Sequence, residues 1–263
     1  MPRTRVVDWL WIVLVTSCSD GTAPPPVGVS GNFEGRLLEN PSEWYLGFSL
    51  NESGGVITGT GFVTVYPAYA AVVHGTYHEP EVELTIQPTG TGLTYTFVGA
   101  LRGDTLSGHL HPGGPLPLAF EFIRTDTVAH GHHETELEGA IVRSETGTSF
   151  FAYMEQGWVA LMLEPTAGTP RTTIRFEWKG HHYPDRGTFE LSGNAEIFPR
   201  VFVAEMGGGG IVRHLPVRSG SITIDVSRRF ALLGRYELVA SDPAGNDVRL
   251  HGHFSAGCYS PYC

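Results

Sequence analysis

The stretch Glu81-Val82-Glu83-Leu84-Thr85-Ile86-Gln87, closed by Pro88, decides the fold class. Side chains on an extended strand point to alternate faces, so Val82, Leu84 and Ile86 share one face while Glu81, Glu83 and Gln87 share the other. Helical periodicity is absent, and the same parity recurs on both sides. Trp44, Leu46, Phe48 and Leu50 form one apolar row, Leu93, Tyr95, Phe97 and Leu101 another, and Leu116, Leu118, Phe120 and Phe122 a third. Between residues 31 and 124 this predicts strands over 32–38, 44–50, 56–66, 70–77, 81–87, 93–101, 105–110 and 116–124. Their connections are hairpin-sized, which favours pairing between sequence neighbours.

Several of these strands carry a glycine on the inward face: Gly35, Gly59, Gly61, Gly75, Gly99 and Gly108. An inward glycine gives up packing area but allows strong coiling and close backbone approach, as a small closed barrel requires. Residues 31–125 are therefore expected to form an eight-stranded up-and-down antiparallel barrel, with a sandwich of two four-stranded sheets as the alternative. In outline this resembles the lipocalins and avidins. The lipocalin Gly-x-Trp opening is replaced by Gly31-Asn32-Phe33, so the resemblance implies architecture alone. Phe, Tyr, Trp and Leu on the inward rows favour a filled interior over a cavity for a small apolar ligand, the alternative reading.

Residues 126–133, with His130-Gly131-His132-His133, lack apolar alternation and are expected to be a linker. Strand patterns resume over 136–143, 148–154, 158–164, 172–179, 187–192, 197–205, 221–227, 230–241 and 247–255. Longer connections, including 165–171, 180–186 and 207–218, suggest an antiparallel β-sandwich over 134–263. The closing segments Gly234-Arg235-Tyr236-Glu237-Leu238 and His251-Gly252-His253-Phe254-Ser255 resemble the ends of uncharacterised bacterial lipoprotein β-domains. No active site transfers with that likeness.

At the N-terminus, Arg3 and Arg5 precede an apolar run over 9–15, and small residues lead to Cys18, the plan of an export signal. Asp8 borders a run of seven apolar residues, too short to cross a bilayer as a helix. Val15-Thr16-Ser17-Cys18 resembles a bacterial lipobox, which implies cleavage after residue 17, lipidation of Cys18 and a membrane anchor. Ser19 rather than Asp after the cysteine implies outer-membrane sorting. Residues 19–30, with Gly21, Pro24, Pro25 and Pro26, are expected to be an extended tether.

Of three cysteines, Cys258 and Cys263 remain once Cys18 is assigned to lipid. In an oxidising compartment they are expected to form a local disulfide; metal binding is disfavoured because the intervening Tyr259-Ser260-Pro261-Tyr262 offers no further metal ligand of the usual kind. Removing Arg3, Arg5 and Asp8 with the signal leaves 15 basic and 26 acidic side chains, a formal charge of −11. Such a chain repels phosphate backbones, so nucleic acid is a poor partner; an envelope protein is a better one.

Histidines carry the remaining chemistry. His181, His182, His251 and His253 are the candidate ligands for Zn²⁺, because residues two apart on a strand share a face. Arg249 on the same face as His251 and His253 counts against that site, and exposed or linker histidines are the simpler reading. Glu134, Glu136 and Glu138, in line with His132, form an acidic ladder for which an outward polar face is the simpler account. Residues 242–247 read as a turn and 207–210 as a flexible loop. Neither Gly-x-Ser-x-Gly nor His-Glu-x-x-His occurs, so a non-catalytic role is expected.

Overall fold

The structure is a computed structural model that describes residues 28–38, 44–64, 68–113, 116–154, 157–165, 170–180, 183–192, 198–208, 210–228 and 230–258. The export signal with Cys18, most of the tether, His181, His182 and Cys263 lie outside the described residues. All regular structure within them is β-strand.

Eight strands, β1 (Gly31–Leu37), β2 (Tyr45–Ser53), β3 (Val56–Thr64), β4 (Ala68–His78), β5 (Glu81–Pro88), β6 (Tyr95–Arg102), β7 (Thr105–His111) and β8 (Leu118–Thr125), follow one another around a closed barrel. Closure comes from β1 against β8, with Gly35 opposite Phe122. Gly35 is what lets that seam close: a Cβ there would lie 2.2 Å from the Phe122 ring. Where Gly99 of β6 faces Gly108 of β7, the two backbones approach more closely than side chains would permit. Inside, Phe48, Phe97 and Phe120 pack round Phe122 with ring centroids 4.9 to 5.6 Å apart. These rings belong to one contiguous apolar cluster with Leu46, Ile57 and Leu84.

The apolar rows extend too far at two points. Leu93 and Leu116 are 51% and 73% exposed, because β6 and β8 begin two residues later and the alternation continues into the preceding loops. Val29, at the end of the stretch read as tether, is fully buried in the barrel cluster. Arg124 holds it there by donating to the carbonyls of Gly28 and Ser30.

The second half contains β9 (His132–Gly139), β10 (Arg143–Met154), β11 (Trp158–Pro165), β12 (Arg171–Lys179), β13 (Gly187–Ser192), β14 (Arg200–Gly207), β15 (Gly210–His214), β16 (Val217–Arg228), β17 (Ala231–Ser241) and β18 (Asp247–Cys258). They form a single curled sheet in the order β12-β11-β10-β9-β18-β17-β16-β13-β14-β15, not the two facing sheets of the expected sandwich. The reason is the pairing of β9 with β18 over eight residue pairs, which joins early and late strands into one hydrogen-bonded surface. β12 also pairs with β14, from Arg171 opposite Met206 to Glu177 opposite Arg200, so the sheet curls back and encloses its own core. Bulges in β16 between Val217 and Ser219 and between Ile224 and Val226 increase the coiling. An alternating pattern does not distinguish the two architectures, since the same inward residues, Ile174, Phe176, Ile222, Tyr236 and Leu250 among them, serve either.

Two boundaries also change. Residues 210–214, read as part of a loop, form β15, whose Ile211 and Val212 are exposed and so lack the parity that marks a half-buried strand. The expected linker is a packed junction: Val128 and Ala129 are fully buried, and β9 already starts at His132. Across it Tyr45 stacks on Phe230 at 4.7 Å, Arg228 pairs with Glu34 at 2.8 Å, and Phe62 of β3 lies against Gly131 and Gly257.

Candidate functional site

Strand β9 alternates strictly: His133, Thr135 and Leu137 are buried, while His132, Glu134, Glu136 and Glu138 are exposed. Burial of the first set follows from its partners, with Thr135 sharing a 2.6 Å hydrogen bond with Tyr236 in the sheet core. The exposed set therefore stands on the outer face. Antiparallel register places Glu134 opposite His253, Glu136 opposite His251 and Glu138 opposite Arg249, and directly opposed side chains share a face.

Two groups of possible ligands result. In the first, the ligand atoms of His132, Glu134 and His253 all lie within 4.8 Å of one another. His253 Nε2 is 3.8 Å from a Glu134 oxygen, and the His132 and His253 rings stand 6.4 Å apart between centroids. Ligands of one tetrahedral Zn²⁺ sit about 3.3 Å from each other, so small rotations of exposed side chains would gather this set. In the second group, Glu136, Glu138 and His251, His251 Nε2 is 3.0 Å from Glu136. Arg249 across from Glu138 adds a cation that opposes metal binding there. Arg235, across from His253, is instead engaged by both oxygens of Asp225 at 3.0 and 3.1 Å.

His251 and His253 thus share a face as their spacing requires, yet they fall in different groups. The glutamate ladder read as surface polarity is indeed exposed, and it supplies the carboxylates of both groups. His132 was visible in the sequence only in line with that ladder and as part of the expected linker. What could have found the set is the matching period of two in residues 132–138 and 251–253, but uniting them requires knowing that β9 pairs with β18.

Neighbouring histidines differ. His130, half-buried in the junction, has its pKa lowered by burial and, secondarily, by His132. His133 points inward, and burial brings its pKa down to about 4; its Nδ1 donates to the Thr148 carbonyl at 3.0 Å, and Nε2 has no hydrogen-bond partner among the described residues. Beside the second group the outer face forms an open groove of about 680 Å³, lined by Glu138, Glu190, Glu237, Arg249 and His251 among others.

Two buried carboxylates went unnoticed in the sequence, and both are tied up in ion pairs. Glu177 lies between Arg175 and Arg200, and Glu205 between Arg143 and Arg213. They bind strands β12, β14 and β15 together. Residues 242–246 form a turn, with Asp242 accepting from the Asn246 backbone at 2.7 Å.

No protein-family model matches the chain, and no curated protein matches it.

Proposed function

We propose that this chain is a lipid-anchored, non-catalytic protein of the bacterial cell envelope that binds a divalent transition metal on the outer face of its C-terminal sheet. The observation that carries the metal assignment is the convergence of His132, Glu134 and His253 donor atoms within 4.8 Å. Two imidazoles and a carboxylate suit Zn²⁺ and its neighbours better than Ca²⁺ or Mg²⁺, which prefer oxygen ligands alone. The contiguous packing of the barrel interior favours a ligand held outside the barrel over an apolar ligand within it.

Calorimetric titration with Zn²⁺ tests the site: the full chain binds with one-to-one stoichiometry and His253→Ala loses that binding. Equal binding by both proteins would overturn the assignment. Support for the anchor is Val15-Thr16-Ser17-Cys18, with the outer membrane as the expected destination. Radioactive fatty acid fed to expressing cells labels the wild type and not Cys18→Ala; equal labelling refutes lipidation there. The proposed Cys258–Cys263 disulfide, which would pin the chain beyond β18, is checked by the mass of the C-terminal peptide with and without reductant.

A further inference from the structure

The three-residue group leaves a tetrahedral ion with one position unfilled, as in sites where water or substrate binds. A third imidazole stands beside it. His130 belongs to the junction, where its backbone N–H donates to Ser255 Oγ at 2.9 Å. The following Gly131 N–H donates to the Ser255 carbonyl, and the Gly131 carbonyl accepts from Ser149. The backbone is therefore tied to β18 and β10, so only the imidazole has to turn. Its ring centroid lies 6.1 Å from that of His132, where two rings on one tetrahedral ion are about 5 Å apart.

Hydrogen bonds running through the barrel assign the protons on that ring. Asn32 Nδ2 donates to the Asp126 carbonyl at 2.8 Å, which leaves Asn32 Oδ1 to accept from Ser49 Oγ at 2.6 Å. The Ser49 hydrogen is thereby committed to Asn32. Toward His130 Nε2, 3.4 Å away, Ser49 can act only as acceptor, so Nε2 carries the proton and the Nδ1 lone pair is free. That is the arrangement of a metal-ligating histidine, one nitrogen on the ion and the other N–H held by an outer partner.

Resting on the metal-binding reading above, we propose that His130 Nδ1 is the fourth ligand of the ion held by His132, Glu134 and His253, with Ser49 of the barrel as its outer partner. The ion then sits in a closed four-ligand site. It draws the junction, the barrel and the curled sheet together, a structural rather than a catalytic use of metal. The set of three imidazoles and one carboxylate spans the junction, β9 and β18, and Ser49 adds β2 from outside the first coordination layer.

The test uses the full chain with Zn²⁺ and Co²⁺ as probes. Long-range ¹H–¹⁵N spectra of the wild type follow each imidazole directly: at saturating Zn²⁺, His130 Nδ1 moves to the metal-bound range while Nε2 stays protonated. An unchanged His130 spectrum at saturation overturns the proposal and leaves the three-residue site standing. Absence of Zn²⁺ binding, or equal binding by His253→Ala, overturns the underlying reading instead. Among variants, His130→Ala is expected to weaken Zn²⁺ binding at least tenfold and to shift the tetrahedral Co²⁺ band, because water takes the position of the lost imidazole. Ser49→Ala, acting through His130, is expected to weaken binding about tenfold while keeping the tetrahedral band. Wild-type Zn²⁺ affinity in both variants would also overturn the proposal.

Discussion

His133 shows how one parity step separates two kinds of histidine. Its neighbour His132 stands in solvent, whereas His133 is fully buried and its Nε2 has no hydrogen-bond partner among the described residues. Adding a proton to that nitrogen places an unsatisfied charge in the core. The folded pKa of about 4 lies below the ordinary value of 6.5, so the unfolded chain takes up the proton first. His133 therefore contributes its full stability above pH 6.5 and loses it as pH falls toward 4, by about 3 kcal/mol over that interval. Urea denaturation in EDTA across this range is expected to show the slope, and His133→Gln to flatten it. In the sequence His133 looked like a linker residue, because nothing within residues 130–133 says which histidine will face the core. Gly35 was easier to read, being an inward glycine in an apolar row. Gly35→Val puts side-chain atoms into the Phe122 ring and is expected to cost about 2–3 kcal/mol in denaturation experiments.

Among strands, half-buried ones were legible and the edge strand β15 was not. Val82, Leu84 and Ile86 are buried as their spacing requires, since one water-facing side imposes strict alternation. β15 imposes none, because it terminates the sheet order and leaves Ile211 and Val212 in solvent. Ile211→Lys is accordingly expected to change stability by no more than about 0.5 kcal/mol. Ile222→Lys, at a fully buried position of β16, is expected to abolish cooperative unfolding. Circular dichroism melts of the two variants separate these outcomes. The metal ligands show the same division, for β9 and β18 each display a period of two, but their register joins residues more than a hundred positions apart. Such pairing depends on which faces the rest of the sheet covers, and no local pattern encodes it.

Across the whole molecule, barrel and curled sheet are expected to unfold together. Phe62 is buried against Gly131 and Gly257 rather than within either apolar cluster, and Arg228 of β16 reaches Glu34 of β1 and the Thr125 hydroxyl. Calorimetry should give one transition for the wild type and two for the Phe62→Ala, Arg228→Ala double variant; one transition in both would show that these contacts do not couple the halves. Strand type, next-neighbour pairing and the inward glycines follow from the sequence by itself, because alternation and missing side chains act on nearest neighbours. A single curled sheet in place of a sandwich, the burial of Val128 and Ala129 in the junction, and the meeting of His132, Glu134 and His253 were decided by tertiary structure alone. Each depends on which distant strand supplies the hydrogen bonds and covers the apolar face, a choice made by the packing of the whole chain.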